Sequence, residues 1–382
     1  MKLLNKNLIL GISLFMIGAL SNVNAQTVLS DAERQSIIAQ IKNELKTNPL
    51  TFSGYVDAYY AYYSDSVGYG NFQKFPTTSP RSNSFGLNIA MVTAKYTTEK
   101  IRSIVTLHYG DLPMTTWSSK YNFIQEANIG VRLYKTLWLD AGFFRTHVGT
   151  EGLLPKENIA ASIAIGTFNE PYYQAGCKLS FAPTDKLLIC LHLLNGYNIF
   201  EDNNEKKSLG LLLNYTVNDN IGIGYSNYIG DDSPAGDSVS HLRNYHNLYL
   251  NFTKNKLKIQ IGGDFGMQQN SDSTGNKTAN MFSAVAAARY AITPKFGLYT
   301  RGEIFNDPSG FLSGIMTDKA GHQTGLKLWG ATLGIEYKIT DNSYIRMEGR
   351  QLQCDSNQEI FRRNGNNSSN RMEVMVQAGV SF

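Results

Sequence analysis

The chain has 382 residues, of which 42% are hydrophobic, 12% aromatic and only 17% charged, below the ~25% usual for soluble domains. Its 22 tyrosines and 19 phenylalanines exclude a disordered chain, and its three cysteines exclude a disulfide scaffold. The 35 basic and 31 acidic residues are too balanced to favour a nucleic-acid partner. Beyond the N-terminus no apolar run approaches the ~20 residues that a membrane helix needs. This combination indicates a β-barrel with a lipid-facing outside and a water-facing inside.

Residues 1–25 have the parts of a secretory signal peptide in the expected order. Two lysines precede the apolar run Leu8–Leu20, and Val23 and Ala25 supply the small residues of a cleavage site. An apolar run of this length is too short to span a ~30 Å hydrocarbon core as a helix. We therefore predict cleavage before Gln26 and export of the mature chain.

Residues 26–50 are predicted to form a short periplasmic segment with one helix over 30–47. Ser30 and Glu33 have the spacing of a capping box, and four apolar residues that follow share one helix face. The helix leads into the first strand. Alternatively, its apolar face packs into the barrel mouth as a partial plug.

From Thr51 onward the chain repeats segments of about ten residues with alternating character, the length of a tilted membrane-spanning strand. Sixteen such segments lie near 51–62, 84–96, 101–110, 123–133, 137–147, 171–182, 187–197, 207–216, 221–230, 243–253, 257–267, 279–291, 296–306, 325–339, 343–352 and 371–382.

The connections between these segments alternate between short turns and long loops. Short periplasmic turns and long external loops are typical of outer-membrane barrels. Because the sheet edge cannot stay unpaired in lipid, we predict a closed, all-β, 16-stranded antiparallel transmembrane β-barrel over 51–382.

The last segment shows the alternation most clearly, since Met372, Val374, Val376 and Val380 share one face with the C-terminal Phe382. A terminal aromatic residue on an outward face is the pattern that barrel-assembly machinery recognises. We therefore expect that machinery and the lipids of the outer membrane as partners.

A barrel of sixteen strands is wide enough to enclose an aqueous channel. Arginines recur on its predicted inward face, and they could form a basic ladder that attracts anionic solutes. The alternative is that these charges are simply paired across strands. The candidate pore-lining arginines are Arg102, Arg132, Arg301, Arg346, Arg350 and Arg371.

The loop at 148–170 is the longest of the chain and carries an apolar stretch that is unusual for a loop in free solvent. Folded inward, it would narrow the pore, with Glu151, Lys156 and Glu157 at the constriction. It could also stay on the outer surface. The strand at 187–197 is apolar on both faces and could contact another protomer or the N-terminal helix.

Sequence motifs for catalysis or metal binding are weak or absent. His147 with Ser162 is the nearest approach to a catalytic pair, and no metalloprotease, serine-hydrolase or phosphate-loop motif is present. Three aspartates at 231, 232 and 237 lack the full spacing of a calcium loop. Cys177 and Cys190 lie on adjacent strands, and we interpret them with Cys354 as small apolar fillers. We expect no enzyme activity, cofactor or metal.

Loose aromatic and glycine motifs resemble one known family over most of the mature chain. They include GYVDAYYAYY (Gly54–Tyr63), QEANIGV (Gln125–Val131), GFFRTHVGTE (Gly142–Glu151) and LLNGYN (Leu193–Asn198). The chain is similar to the OmpL-like β-barrel porins (outer-membrane β-barrel porin type 2), frequent in Gram-negative Bacteroidota. The resemblance implies an outer-membrane porin role but no defined substrate.

We therefore expect a passive diffusion channel for small hydrophilic solutes in the outer membrane. Two alternatives stay open: a substrate-selective channel that prefers anions, and a structural or adhesion barrel plugged by its loops or its N-terminal helix. Self-association into a homo-oligomer is a further open point.

Overall fold

The computed structural model describes residues 48–65, 67, 71–75, 78–272 and 275–382. The predicted signal peptide and the helix at 30–47 lie outside these residues. Within them, sixteen antiparallel strands form a closed barrel, in which each strand pairs with its neighbours in sequence and the last pairs with the first. The 16-stranded barrel predicted from the alternation is thus confirmed.

The barrel strands end within a few residues of the predicted bounds. They are β1 (Leu50–Tyr63), β2 (Ser84–Thr97), β3 (Ile101–Tyr109), β4 (Ile124–Tyr134), β5 (Leu137–Arg145), β6 (Tyr173–Thr184), β7 (Leu187–Leu194), β8 (Ser208–Asn218), β9 (Ile221–Asp231), β10 (Leu242–Lys254), β11 (Leu257–Gln268), β12 (Ala279–Ala291), β13 (Phe296–Asn306), β16 (Lys327–Thr340), β17 (Ser343–Cys354) and β20 (Asn370–Ser381).

Two small hairpins that the sequence pattern did not predict lie in the long loops. They consist of β14 (Met316–Thr317) with β15 (Gln323–Thr324), and of β18 (Phe361–Arg363) with β19 (Asn366–Ser368). Among the described residues, helix is confined to the short α1 (Asp111–Thr116) and α2 (Ile165–Phe168) and one 3-10 turn, Pro155–Glu157. No helix in the described part of the chain is long and apolar enough to cross a bilayer.

Strand β16 shows why the sequence forms this wall. Its outward side chains are apolar and exposed, as in Trp329 (49%) and Leu333 (69%), whereas the inward Thr332 and Glu336 are buried. An apolar side chain of this size gains about 1.5–3 kcal/mol when it leaves water for an apolar medium. The outer face therefore favours lipid, and the polar groups are left to the inside.

Closure of the barrel joins β1 to β20. Val56 lies opposite Val380 in this register, and the backbone N–H of Gly54 donates to the carbonyl of Phe382 at 2.7 Å. The C-terminal residue thus belongs to the seam, while its ring stays 71% exposed on the outside. Every barrel strand then has two neighbours, which is the requirement for a sheet in lipid.

Short turns lie at one end of the barrel and eight long loops at the other. Asn255, with a φ of 54°, makes the tight turn between β10 and β11. The long loops, numbered in chain order, are L1 (64–83), L2 (110–123), L3 (146–172), L4 (195–207), L5 (232–241), L6 (269–278), L7 (307–326) and L8 (355–369). Loop side chains fill part of the barrel interior, where Ile165 of L3 is packed among buried Tyr245, Phe305 and Leu352 of the wall.

Candidate functional site

Loop L3 folds into the lumen, and its first limb is fixed by polar side chains of the wall. The two ring nitrogens of His147 lie 2.8 Å from Oε1 of Gln174 and 2.7 Å from the carbonyl of Asn227. Further on, Gln260 donates its amide N–H to the carbonyl of Thr150 at 2.8 Å. These bonds join L3 to strands on several sides of the barrel, so the loop crosses the interior rather than leaving it.

The turn at the far end of L3 is held by one guanidinium. Arg346 on β17 donates to the carbonyls of Pro155, Asn158 and Ala160 at 2.7, 3.1 and 3.0 Å. The loop also closes on itself, because the side-chain amide of Asn158 exchanges two 2.7 Å hydrogen bonds with the backbone of Gly152. A five-donor guanidinium suits this task, since it can reach several carbonyls at once.

The returning limb of L3 binds to the wall through both its carbonyls and its N–H groups. Arg301 donates to the carbonyl of Ser162 at 2.5 Å and to its hydroxyl at 2.7 Å. The N–H groups of Ala161 and Ile165 donate to Glu348 and Glu303, each at 2.7 Å. Buried backbone groups of an irregular loop are thereby satisfied, which allows the loop to lie inside the barrel.

We call the inner faces of β13, β16, β17 and β20 the anchored wall, because their charged side chains hold the loops. Arg301 has Glu151 at 3.2 Å and Glu303 at 3.4 Å, and Arg350 lies 2.7 Å from Glu303. Four of the six arginines predicted to line the pore lie on this wall, and all four are inward but at most 3% exposed. These are Arg301 (1%), Arg346 (3%), Arg350 (2%) and Arg371 (1%).

Burial and pairing give these arginines no surface to offer a passing solute. Arg371, for example, pairs with Glu373 at 2.6 Å and donates to the carbonyl of Lys74 in L1. Removal of one partner from such a buried pair is costly, because the other charge is left uncompensated. In this structure Arg301 and Arg346 anchor L3, Arg371 anchors L1, and Arg350 pairs with Glu303 and Glu373 of the wall.

The opposite side of the lumen is different. We call the inner faces of β2 to β6 the open wall, because most of its charged side chains keep access to water. Arg102 binds Asp140 at 2.6 Å, and the guanidinium groups of Arg102 and Arg132 lie 4.5 and 4.7 Å from the ring of Trp138. The exposed or half-exposed charged residues of this wall are Lys95, Arg102, Glu126, Arg132 and Lys178.

The tip of L3, at Lys156 and Glu157, completes the charged surface. Both residues are exposed, and Glu157 receives two hydrogen bonds from Arg145 at the end of β5, at 2.8 and 2.6 Å. Lys156 lies over the ring of Tyr55 at 4.4 Å. Lys95 lies close enough to Lys156 and Arg145 for their positive charges to repel one another. The tip and the open wall therefore face each other across the narrowed lumen.

The ionisation of the L3 carboxyl groups follows from this placement. Partial loss of hydration inside the barrel opposes the ionised form of Glu157, but the charge of Arg145 outweighs this effect and holds the pKa of Glu157 below its usual range. In contrast, burial raises the pKa of Glu151 even though Arg301 is its neighbour. Three L3 residues were predicted from the sequence to line the constriction. Lys156 and Glu157 are accessible to water, whereas the side chain of Glu151 is buried against Arg301 of the wall.

Lys95 and Arg145 are not among the residues predicted from the sequence, although the sequence holds a signal for each. Lys95 occupies an inward position of its strand, and Arg145 directly precedes the inward loop. A basic residue at either kind of position is a candidate for the channel surface, since inward positions of a wide barrel face water.

The remaining sequence candidates have other partners. His147 binds Gln174 and Asn227, whereas the hydroxyl of Ser162 binds Glu348 and Arg301, so the two do not form a catalytic pair. Cys177, Cys190 and Cys354 are free thiols.

The aspartates of the acidic loop region are paired with basic side chains. Asp231 lies 2.6 Å from Lys206, Asp232 lies 3.4 Å from Arg243, and Asp237 lies 3.7 Å from His241. Among the described residues, no group of three metal-ligating side chains is assembled.

The closed sheet, its apolar outer belt and the inward loop define an outer-membrane channel-type barrel. The family model described as "Putative beta-barrel porin-2, OmpL-like" matches residues 49–382. The chain belongs to this family of outer-membrane porins. No curated protein sequence matches it significantly.

Solved structures share the fold at low sequence identity. OmpT of Vibrio cholerae with loop L8 deleted aligns at a TM-score of 0.58 and 12% identity, over 87% of this chain and 99% of that one. The outer membrane channel DcaP of Acinetobacter baumannii aligns at 0.58 and 10%, over 87% and 97%. An anion-selective porin from Comamonas acidovorans aligns at 0.58 and 9%, over 87% and 99%. These similarities support the porin fold of the chain.

Proposed function

We propose that this porin is a passive, water-filled channel through which small hydrophilic solutes diffuse. One observation carries the proposal: L3 is held on the anchored wall, while water-accessible charges remain on the open wall and the L3 tip. A barrel of 16–18 strands leaves an aqueous channel when loops do not fill it. The free space therefore lies between the L3 tip and the open wall.

The mechanism is filtering by size and charge, with no chemical step. L3 reduces the cross-section, so that only small solutes pass. The charges at the narrow point set the local concentration of ions, because a charged cleft with low-dielectric walls focuses the electric field. We propose no catalytic activity, cofactor or metal for this chain.

The placement in the cell follows from the same proposal. Residues 1–25 direct export and are removed before Gln26, residues 26–50 lie in the periplasm, and residues 51–382 form the barrel. The long loops face the exterior. Phe382, exposed at the seam between β1 and β20, presents its ring to the assembly machinery. Lipids surround the outer belt, and association of several copies is compatible with that belt.

Bilayer recording of the refolded mature chain is the direct test. We expect discrete conductance steps that scale with salt concentration, as for a water-filled pore. Folded protein that inserts without giving steps would contradict the channel and favour the plugged barrel. Heat-modifiable migration in gels would verify that the silent protein is folded.

The role of L3 as the constriction has its own test. Deletion of 153–165 removes the tip with Lys156 and Glu157 and should raise single-channel conductance. Removal of 362–368 in L8, a largely exposed stretch outside the cluster that contains Ile165, is the control. Equal conductance of the L3 deletion and the parent would refute the constriction.

A second candidate function, preference for anions, is favoured by the charges around the tip. Three basic residues, Lys95, Arg145 and Lys156, lie there and interact with two carboxylates, those of Glu126 and Glu157. We infer a net basic constriction that attracts anions. Reversal potentials in a salt gradient test this, and a cation preference would contradict it.

A further inference from the structure

The long-loop end of the barrel contains two adjoining cavities beside L3. The first, which we call the L3 cavity, has a volume of about 300 Å³ and lies between L2, L3, L4 and L7. The second has about 420 Å³ and lies between L5, L6 and L7. Arg243 and Phe311 line both, so the two spaces meet at these side chains. Together they are within the ~300–1,000 Å³ of small-molecule sites.

Three aromatic rings, those of Phe168, Tyr197 and Phe311, line the L3 cavity and are only partly buried. The Tyr197 ring is fixed in place, because its hydroxyl donates to the carbonyl of Asn169 at 2.7 Å and its face contacts the Arg243 guanidinium at 4.4 Å. Fixed rings with an accessible face suit the flat C–H surface of a sugar ring, which packs against aromatic faces through weak C–H contacts.

Glu170 supplies an acceptor that lacks a partner. Its side chain lines the L3 cavity, the residue is only 4% exposed, and its Oε1 has no hydrogen-bond partner in the described part of the chain. A buried polar atom without a partner costs about 1–3 kcal/mol. A hydroxyl group of a ligand would remove that cost.

The charge of the L3 cavity points to a neutral ligand. Of the described residues that line it, only Glu170 and Arg243 have carboxyl or basic side chains. Burial and the neighbouring Asp264 raise the pKa of Glu170 above its usual range, which favours the neutral form of its carboxyl group. Arg243 is neutralised by Asp232 at 3.4 Å. Such a cavity has little net attraction for an ion but can donate and accept hydrogen bonds.

We propose that the L3 cavity is a binding subsite for a neutral polyhydroxylated solute of the size of a mono- or disaccharide. The aromatic rings would pack against its apolar face, Glu170 would accept from a hydroxyl, and Arg243 would donate to an oxygen. The subsite rests on the proposed channel function, since it would concentrate the solute at the long-loop end of the channel.

Calorimetric titration of the refolded barrel in detergent with glucose and with maltose tests the subsite. We expect millimolar binding of at least one of them. Phe311→Ala should weaken it at least tenfold by removing a stacking face, and Glu170→Met should weaken it at least tenfold by removing the free acceptor. Phe123→Ala is the matched control, because Phe123 is exposed and lines neither cavity.

The subsite proposal can be refuted independently of the channel proposal. Absence of binding by both sugars, unchanged affinity in both variants, or tighter binding of gluconate or glucosamine than of glucose would overturn the subsite. Conductance steps in such a protein would leave the channel proposal intact. Sugar binding by a folded barrel without conductance would instead contradict only the channel.

Discussion

The two sides of the lumen use the same residue types for different purposes. On the anchored wall, Arg346 and Arg301 are buried, paired with glutamates and bonded to the backbone of L3. On the open wall, Arg132 is exposed and lies over an aromatic ring. The chemical group is identical, but burial decides whether it holds a loop or meets a solute.

This difference between the walls implies that the stability of the barrel and the selectivity of the channel depend on different residues. Charges on the anchored wall are inseparable from the fold, because each has a buried partner that would be left uncompensated. Charges on the open wall and at the L3 tip keep access to water, and ion pairs that water reaches contribute little to stability. Substitutions on the two walls should therefore change different observables.

The largest effect is expected for Arg301→Met. The substitution leaves Glu151 and Glu303 without a shared guanidinium in a site that has almost no access to water. Breaking a buried pair from one side costs about 3–5 kcal/mol, so the free energy of unfolding in urea should fall by about that amount. A decrease in the free energy of unfolding below ~1 kcal/mol, as for an exposed pair, would contradict the proposed difference between the two walls.

The next effect concerns ion preference. The double variant Lys95→Glu with Lys156→Glu reverses two charges that meet across the constriction, and the permeability ratio should shift several-fold towards cations. Reversal potentials in a salt gradient measure it. Lys254→Glu, an exposed lysine at the short-turn end of β10, is the control and should change little. Equal shifts in both proteins would place selectivity outside the constriction.

A smaller, pH-dependent effect should come from Glu157. Its pKa is below the usual range, so the carboxylate stays charged at moderately acidic pH and is neutralised only when the pH falls through this lowered pKa. Below that point the constriction is more basic, and anion preference should increase. The stabilising pairing with Arg145 is lost over the same range. In Glu157→Gln, reversal potentials should lack this acid-dependent step; its persistence would assign the step to another group.

The smallest effect is expected for Arg132→Met on the open wall. The substitution removes one of two guanidinium groups that lie over Trp138, a contact worth about 0.5–1 kcal/mol at an exposed site. The urea midpoint should shift only slightly, and L3 should stay in place. A destabilisation equal to that of Arg301→Met would show that exposure does not separate the two walls.

Much of the barrel could be predicted because its signal is local. Alternation with a period of two residues marks each strand, and strand 279–291 and strand 296–306 have the predicted bounds without change. The hairpins in L7 and L8 escaped prediction because they are too short to show a period.

The site was less predictable because its contacts are distant in sequence. Arg346 and Pro155 are 191 positions apart, and Glu348 and Ala161 are 187 apart. Alternation predicts that these charged side chains point inward. It does not predict whether they attract solutes or bind a loop. Only the path of L3 through the lumen makes that choice.

The sequence by itself determined the class of the protein. Its low charged fraction disfavoured soluble domains, and the lack of long apolar runs excluded membrane-spanning helices. Alternation along the strands, with alternating turn lengths, set strand number and topology. These properties depend on each strand's own faces. The tertiary structure decided which inward charges are buried. That outcome depends on where L3 lies, and L3 is placed by hydrogen bonds from strands far along the chain.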